Sequence, residues 1–365
     1  MEIKNILSLI GGLAIFLYGM HQMGNGLEVV AGDKMETILE KLTSNRFVGI
    51  FLGAVVTCLI QSSSATTVMV VGFVNSGLMK LENAVWVIMG ANIGTTITGQ
   101  LIALEVSAIA PIFAIVGTIM ITFVKNKKAN SLGEVIGGLG ILFIGMGMMS
   151  DAMKPLRDIP EFANLMSSFS NPILGIIAGA IFTAVIQSSS ASIGILQSMA
   201  LAGVIELDSA VYVLFGQNIG TCITSLLASL GANRNAKRAT LVHFLFNIIG
   251  TIIFVCICLF TPFVNLMISI TPNNVMSQIA NTHTVFNIVT TVLLIPFGKQ
   301  LAQMTYNILP LAEAEEEEEP LPPVDSETPE NPEGPGTGDT TNMTGLLAMM
   351  LMAAGVMIAS RKRKA

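Results

Sequence analysis

Charge is scarce in this chain. Of its 365 residues, 12% are Asp, Glu, Lys or Arg, about half the ~25% of a soluble domain. Tryptophan occurs once and histidine three times. The four cysteines, Cys58, Cys222, Cys256 and Cys258, lie in apolar segments with no CxxC and no histidine at metal-ligand spacing, which reads as small packing residues. These shortages exclude a soluble enzyme, a nucleic-acid-binding protein and a disordered scaffold as readings of the whole chain. What is present is apolar: 52% of residues, with a mean hydropathy of +0.72 and several runs near 20 residues. That composition reads as an all-α polytopic membrane protein. The first run begins at Ile6 and flows through Tyr18 and His21 without a small-x-small cleavage site, so it reads as a retained helix. The net charge of −6 belongs to the tail: residues 311–365 carry 11 Asp/Glu and 4 Lys/Arg, and the rest carries 14 Lys/Arg and 13 Asp/Glu.

The chain repeats itself at an offset of 126. IGGLAIFLYGM at 10–20 falls on IGGLGILFIGM at 136–146, QSSSA at 61–65 on QSSSA at 187–191, and GANIGTTIT at 90–98 on GQNIGTCIT at 216–224. From Ile10/Ile136 to Leu104/Leu230 no gap is needed, and 36 of 95 positions are identical. This is a duplication. Each copy reads as four elements: an apolar helix (5–27 or 132–150), a stretch with QSSS at its middle (47–79 or 172–205), an apolar segment carrying NIGT (84–104 or 209–230) and a plain span (107–124 or 239–262). One further span covers 277–298. The QSSS element is too long for one crossing and too short for two, so it reads as a re-entrant hairpin with QSSS at its tip. The glycines of NIGT, with Gly90 and Gly216, read as a helix break.

Three crossings per copy is an odd number, so the second copy enters from the opposite side: an inverted-topology repeat, with substrate near the midplane. With the N-terminus outside, inner loops receive eleven Lys/Arg and outer loops only Lys4, Lys154 and Arg157, the asymmetry expected of cytoplasmic loops. The domain boundaries follow: repeat 1 over 1–130, repeat 2 with one further span over 131–310, an acidic Pro-rich linker over 311–342 read as disordered, and an apolar helix with a basic end over 343–365.

Gln61, Ser62, Ser63 and Ser64, with their copies Gln187, Ser188, Ser189 and Ser190, put dense polar clusters where lipid should be. Polar groups at that depth are costly unless they pair or line a cavity. Consecutive serines around a turn present hydroxyls and free N–H groups, which suit an anion, while amide and carbonyl oxygens suit Na⁺. No Asp or Glu lies inside either motif, so bound anion and cation must offset each other's charge. A serine hydrolase would need a serine activated by histidine. There is no GxSxG, and no histidine is duplicated at the 126 offset.

Two QSSS motifs, each followed by GxNIGT, resemble the sodium/phosphate cotransporters, the type II family and its bacterial relatives, over about residues 5–300. The resemblance implies a carrier of inorganic phosphate coupled to Na⁺ by alternating access, in a bacterial plasma membrane, without enzyme activity and without a cofactor other than Na⁺ as coupling ion. It sets no oligomeric state. It also implies that Gln61–Ser64 and Gln187–Ser190 hold phosphate and Na⁺, with Thr66, Thr67, Ser192, Asn92, Thr95, Asn218 and Thr221 as secondary Na⁺ candidates. Two HxxxN pairs, His243/Asn247 and His283/Asn287, read as interhelical hydrogen bonds. The tail departs from the family. PGTGD, an apolar segment and RKRK resemble a cell-wall sorting signal, although Gly334 stands where leucine is usual; an accessory tail helix is the alternative reading.

Overall fold

The computed structural model describes residues 3–31, 45–104 and 106–310. The linker and the sorting-signal resemblance therefore lie outside the described residues. Those described form fifteen α-helices and no strand. In the first copy they are α1 (Ile3–Ala31), α2 (Arg46–Ile60), α3 (Ser63–Asn75), α4 (Leu81–Ile102) and α5 (Ala110–Phe123). In the second they are α6 (Lys127–Met153), α7 (Pro160–Ser168), α8 (Pro172–Ile186), α9 (Ser189–Leu201), α10 (Leu207–Gly220), α11 (Cys222–Ala228) and α12 (Arg234–Phe260). Then follow α13 (Phe263–Ile270), α14 (Val275–Leu294) and α15 (Gly298–Ile308). Among the described residues six helical stretches are long and apolar enough to cross a membrane, and α7 and α8 form a pair bent by 99°.

The molecule is dressed for lipid. Ile173, Ile177 and Ile181 line the exposed face of α8, and Ile112, Ile115 and Ile119 that of α5. The interior holds Asn92, Asn218, His243, Asn247, His283 and Asn287, all buried. An apolar outside around a polar inside is the arrangement a hydrocarbon solvent stabilises.

Glycine sets the packing of the two copies. Along α1 and α6, Gly12 lies against Gly145, Gly19 against Gly138 and Gly26 against Ser131, so close that a Cβ at any of these glycines would meet the facing backbone. One residue number rises as its partner's falls, so the equivalent first helices of the two copies run antiparallel. Close backbone approach of this kind substitutes dispersion contact for the hydrophobic effect that lipid cannot supply.

Within each copy, the NIGT helix runs parallel to the first arm of the QSSS hairpin. Gly90 meets the carbonyl of Ile50 and Gly94 that of Ala54; Gly216 meets Ile176 and Gly220 meets Ala180. Two parallel neighbours require the helix between them to return, so α2–α3 and α8–α9 are helical hairpins. This corrects the expected helix break. α4 is continuous through Asn92–Thr95, and at the second motif only Thr221 interrupts, still right-handed at φ −57°. The glycines serve a close helix crossing that Cβ atoms would block, and the helix has no cause to unwind. A second difference is length. The fourth element of the first copy, α5, has 14 residues, about 21 Å of helix against a ~30 Å hydrocarbon core, whereas its counterpart α12 has 27.

Candidate functional site

Each hairpin turns at a glutamine in the left-handed region: Gln61 at φ 57° and Gln187 at φ 60°. Left-handed backbone outside glycine is uncommon and costs strain, which the following serine offsets. Ser62 caps α3 by accepting from the Ala65 N–H at 3.1 Å, and Ser188 caps α9 by accepting from Ala191 at 3.3 Å. The carbonyls of the same two serines receive the N–H groups of Thr66 and Ser192. The first N–H groups of each helix, those of Ser63, Ser64, Ser189 and Ser190, have no intrahelical acceptor. The arms entering the two tips start alike, on the side chains of Asn45 and Asn171.

The two tips meet. Ser63 Oγ and Ser189 Oγ, equivalent residues, stand 3.3 Å apart. Ser190 donates to Thr98 at 3.4 Å and Thr224 donates to Ser64 at 3.2 Å. These last are one contact made twice, since the offset carries Ser64 onto Ser190 and Thr98 onto Thr224. Reciprocal pairs around a self-pair are the signature of a local two-fold axis, and it passes between Ser63 and Ser189. Thr98 also donates to Gln61 Oε1 at 3.0 Å. The axis therefore places two serine-capped helix N-termini head to head. There the partial positive ends of two helices coincide, and among the described residues none of the side chains hydrogen-bonded at the tips is charged. The described ion pairs, Lys154–Asp151 and Arg157–Asp158, are exposed.

The secondary candidates have other partners. Thr66 donates to the Ser62 carbonyl and receives Thr57 at 3.0 Å; Thr67 donates to the Ser63 carbonyl at 2.9 Å. Both hydroxyls thus serve the tip's backbone. Asn92, Thr95, Asn218 and Thr221 each donate to a carbonyl one turn back on the same chain. The oxygens of the two asparagines are engaged by other helices: Asn92 Oδ1 receives Asn247 at 3.3 Å, and Asn218 Oδ1 lies 3.0 Å from His283 Nε2. The HxxxN pairs do bridge helices, to the asparagines of the two NIGT motifs. Ser192 is buried with no partner for its hydroxyl.

Thr98 and Thr224, both in the duplicated motif, join the tips although the sequence does not single them out as ligands. Their signal was duplication itself, three residues past the NIGT threonine. Gln197 and Gln217 have no counterpart in the first copy, so the repeat gave no signal for them. Gln197 ties α9 to the carbonyls of Gly99 and Met276, and Gln217 donates to the Ser192 carbonyl.

The family model described as Na+/Pi-cotransporter matches residues 15–151 and again 156–293. The chain belongs to this family. The two matches fall one on each copy of the duplication. Among curated relatives, "Uncharacterized protein YqeW" of Bacillus subtilis is 29% identical over 82% of this chain and 96% of its own length. "Putative inorganic phosphate export protein YjbB" of Salmonella typhimurium is 27% identical over 83% of this chain, which spans 56% of that protein. Human "Sodium-dependent phosphate transport protein 2B" is 36% identical over 28% of this chain and 15% of its own length. No solved structure matches the chain significantly. Membership of this family and six membrane-length helices make the chain a multi-pass membrane protein.

Proposed function

We propose that the chain carries inorganic phosphate across a bacterial plasma membrane, coupled to Na⁺, by alternating access about the two QSSS tips. The supporting observation is the head-to-head meeting of two serine-capped helix N-termini at Ser63 and Ser189. A tetrahedral oxyanion at this point is met by hydroxyls and unsatisfied N–H groups from both copies, each charge-assisted hydrogen bond contributing roughly 1.5–3 kcal/mol. The approach of Ser63 to Ser189 then describes an arrangement that ligand entry must part, with its oxygens replacing the serine–serine bond.

The neutral donor set explains coupling. Phosphate brings one to two negative charges into a site without a cation of its own, so Na⁺ must offset them. Gln61 and Gln187 carry amide oxygens at the tips for that purpose. No resident cofactor and no catalytic step are required. Antiparallel packing of α1 against α6 and the charge asymmetry of the loops support opposite orientation of the copies, which lets one tip open to each side in turn.

Proteoliposomes containing the purified chain should accumulate ³²P-phosphate under an inward Na⁺ gradient and not under an equal choline gradient. Phosphate affinity should rise with Na⁺, and Na⁺ affinity with phosphate, by linkage. Uptake equal in Na⁺ and choline would rule out the coupling, and no phosphate uptake in either would rule out the substrate.

A further inference from the structure

The two copies differ in what covers their first helix. On α6, Gly133, Gly137 and Gly140 form a bed for α5: a Cβ at any of them would meet that helix, and Gly117 lies against Gly137. The 126 offset carries these three glycines onto Leu7, Gly11 and Ala14 of α1. By sequence the helix to cover them is α12, since IIGTI at 248–252 answers IVGTI at 115–119. α12 lies elsewhere. Gly250, the counterpart of Gly117, meets Thr290 of α14, a span that the first copy lacks. Among the described residues this face of α1 is left bare: Leu7 is 65% exposed, and a Cβ at Gly11 would meet only Met148 Cε, at 4.0 Å.

The bare face is polar where lipid should lie. Toward the C-terminal end of α1 it carries Tyr18, His21 and Asn25, with Gln22 beside them. Tyr18 is 55% exposed, His21 is exposed, and both amides are half-buried. Gln22 donates to Tyr18 Oη at 2.9 Å, and Asn25 Nδ2 lies 3.1 Å from His21 Nε2. These bonds run along α1 itself, and neither amide oxygen accepts a bond among the described residues. The counterparts of Tyr18, His21 and Gln22 are the apolar Ile144, Gly147 and Met148. The pairs Gly12–Gly145 and Gly19–Gly138 exchange under the offset, so the internal axis crosses α1 level with Ile15 and Phe16. With the copies oppositely oriented that level is the midplane, and Tyr18 to Asn25 lie about 4–14 Å along the helix from it, within a ~15 Å half-core. Polar side chains at this depth face protein or a water-filled cavity, because lipid offers them no partner.

We infer that this face is an interface with a second copy of the chain, α1 packing on α1. Leu7, Gly11, Ala14, Tyr18, His21 and Asn25 follow one another in alternating steps of four and three, the spacing of a coiled-coil seam. Two copies in one membrane share an orientation, so a two-fold axis along its normal sets the two α1 helices parallel, as that seam requires. Gly11 and Ala14 admit close backbone approach. Tyr18, His21, Gln22 and Asn25 each both donate and accept, so the stripe complements itself across the axis. The apolar segment 343–360 of the same chain is the weaker match. Between Gly345 and Ala359 it has no hydroxyl, amide or imidazole to offer the stripe. Gly24, on the same helix, is close to the first tip: a Cβ there would lie 3.6 Å from the Ile60 carbonyl oxygen and 3.9 Å from Gln61 Cβ. Pairing through α1 therefore sets one first-hairpin tip on either flank of the seam.

The test is photocrosslinking of the full chain in membranes, with p-benzoylphenylalanine replacing Tyr18. Irradiation should give a product of twice the monomer mass in which position 18 is joined to a peptide of α1. The same probe at Ile115, on the lipid face of α5, should give monomer only. A product joined to lipid, to residues 343–360 or to another protein, without the α1–α1 product, overturns the seam. Single-molecule photobleaching in bilayers provides the second reading. The unsubstituted chain should bleach in two steps, and Gln22→Leu with Asn25→Leu should raise the protein density needed for pairing at least tenfold. Gln22→Asn with Asn25→Gln should restore it. If the leucine pair does not yield monodisperse protein, Gln22→Leu alone is read the same way. One-step bleaching of the unsubstituted chain, or an unchanged midpoint in the leucine variants, overturns the proposal. Phosphate uptake does not enter either reading, so the seam is tested apart from the transported ligand.

Discussion

The two hairpins share their tip sequence and differ in how fully they satisfy it. In the first, Thr57 donates to Thr66, and the Gln61 side chain donates to the Cys58 carbonyl and accepts from Thr98. In the second, the equivalents Thr183 and Ser192 are buried and unpaired. The Gln187 amide has no partner among the described residues. Gln217 replaces Ala91 and Ser198 replaces Gly72, and each adds a buried oxygen without a partner. Among the described residues, every unpaired buried side-chain atom lies at Thr183 or beyond. Duplication has thus kept the shared axis while the copies diverged behind it. The polar side chains of the first hairpin are the more fully paired, and the second keeps more unpaired buried atoms behind the shared tip.

Four substitution pairs probe this comparison. The largest effect belongs to the shared axis. Ser63→Ala and Ser189→Ala should each lower Na⁺-dependent phosphate uptake more than tenfold at normal membrane yield, because each removes a hydroxyl from a buried polar site. Wild-type rates in both would make the motif structural. Next come the crossings that both copies share. Gly90→Val and Gly216→Val drive a side chain into the carbonyls of Ile50 and Ile176, at a cost of about 1–3 kcal/mol or more, and should depress the melting temperature in detergent equally. A lasting inequality would show that one copy tolerates wider packing.

The copies should then part. Gln61→Ala strips a partner from Thr98 and should destabilise by about 1 kcal/mol, while Gln187→Ala leaves the melting temperature in place and impairs uptake. Equal destabilisation would erase the difference in pairing between the two glutamines. The smallest difference is one layer further back. Thr57→Val loses a paired hydroxyl and should cost about 0.5–1.5 kcal/mol. Thr183→Val removes an unpaired one and should be neutral or stabilising in Na⁺-free buffer, which thermal unfolding of the two variants would compare directly.

The sequence made the duplication, the helical class and the hairpin tips legible, because serine runs and glycines leave a strong signal against an apolar background. The left-handed glutamines were not legible: no glycine marks the turn, and the conformation depends on the capping serine that follows. NIGT differs from its sequence reading for a physical reason. Glycine permits both unwinding and close approach, and the choice between them depends on a neighbour, here the carbonyls of Ile50 and Ala54, that the local sequence does not name. The short α5 escaped notice because the apolar run 107–124 is long enough by composition, while residues 106–108 form a separate 3₁₀ turn. The roles of Thr98, Thr224 and Gln217 depend on contacts between distant segments, which one sequence does not specify.

A carrier of this kind requires two copies facing each other in opposite orientation across one axis, and thiol labelling tests this most directly. Lys80 and Glu206 are equivalent at the 126 offset, both exposed, each preceding the helix that carries NIGT. Single cysteines are placed at these positions in a background lacking the four native ones, and a membrane-impermeant reagent is added to intact cells. Opposite orientation predicts labelling at position 206 and none at position 80, in keeping with lysine on the inner side and Glu206 with Asp208 on the outer. Labelling of both positions, or of neither, would mean that the copies share one orientation, and a site reached alternately through the two tips would have to be abandoned.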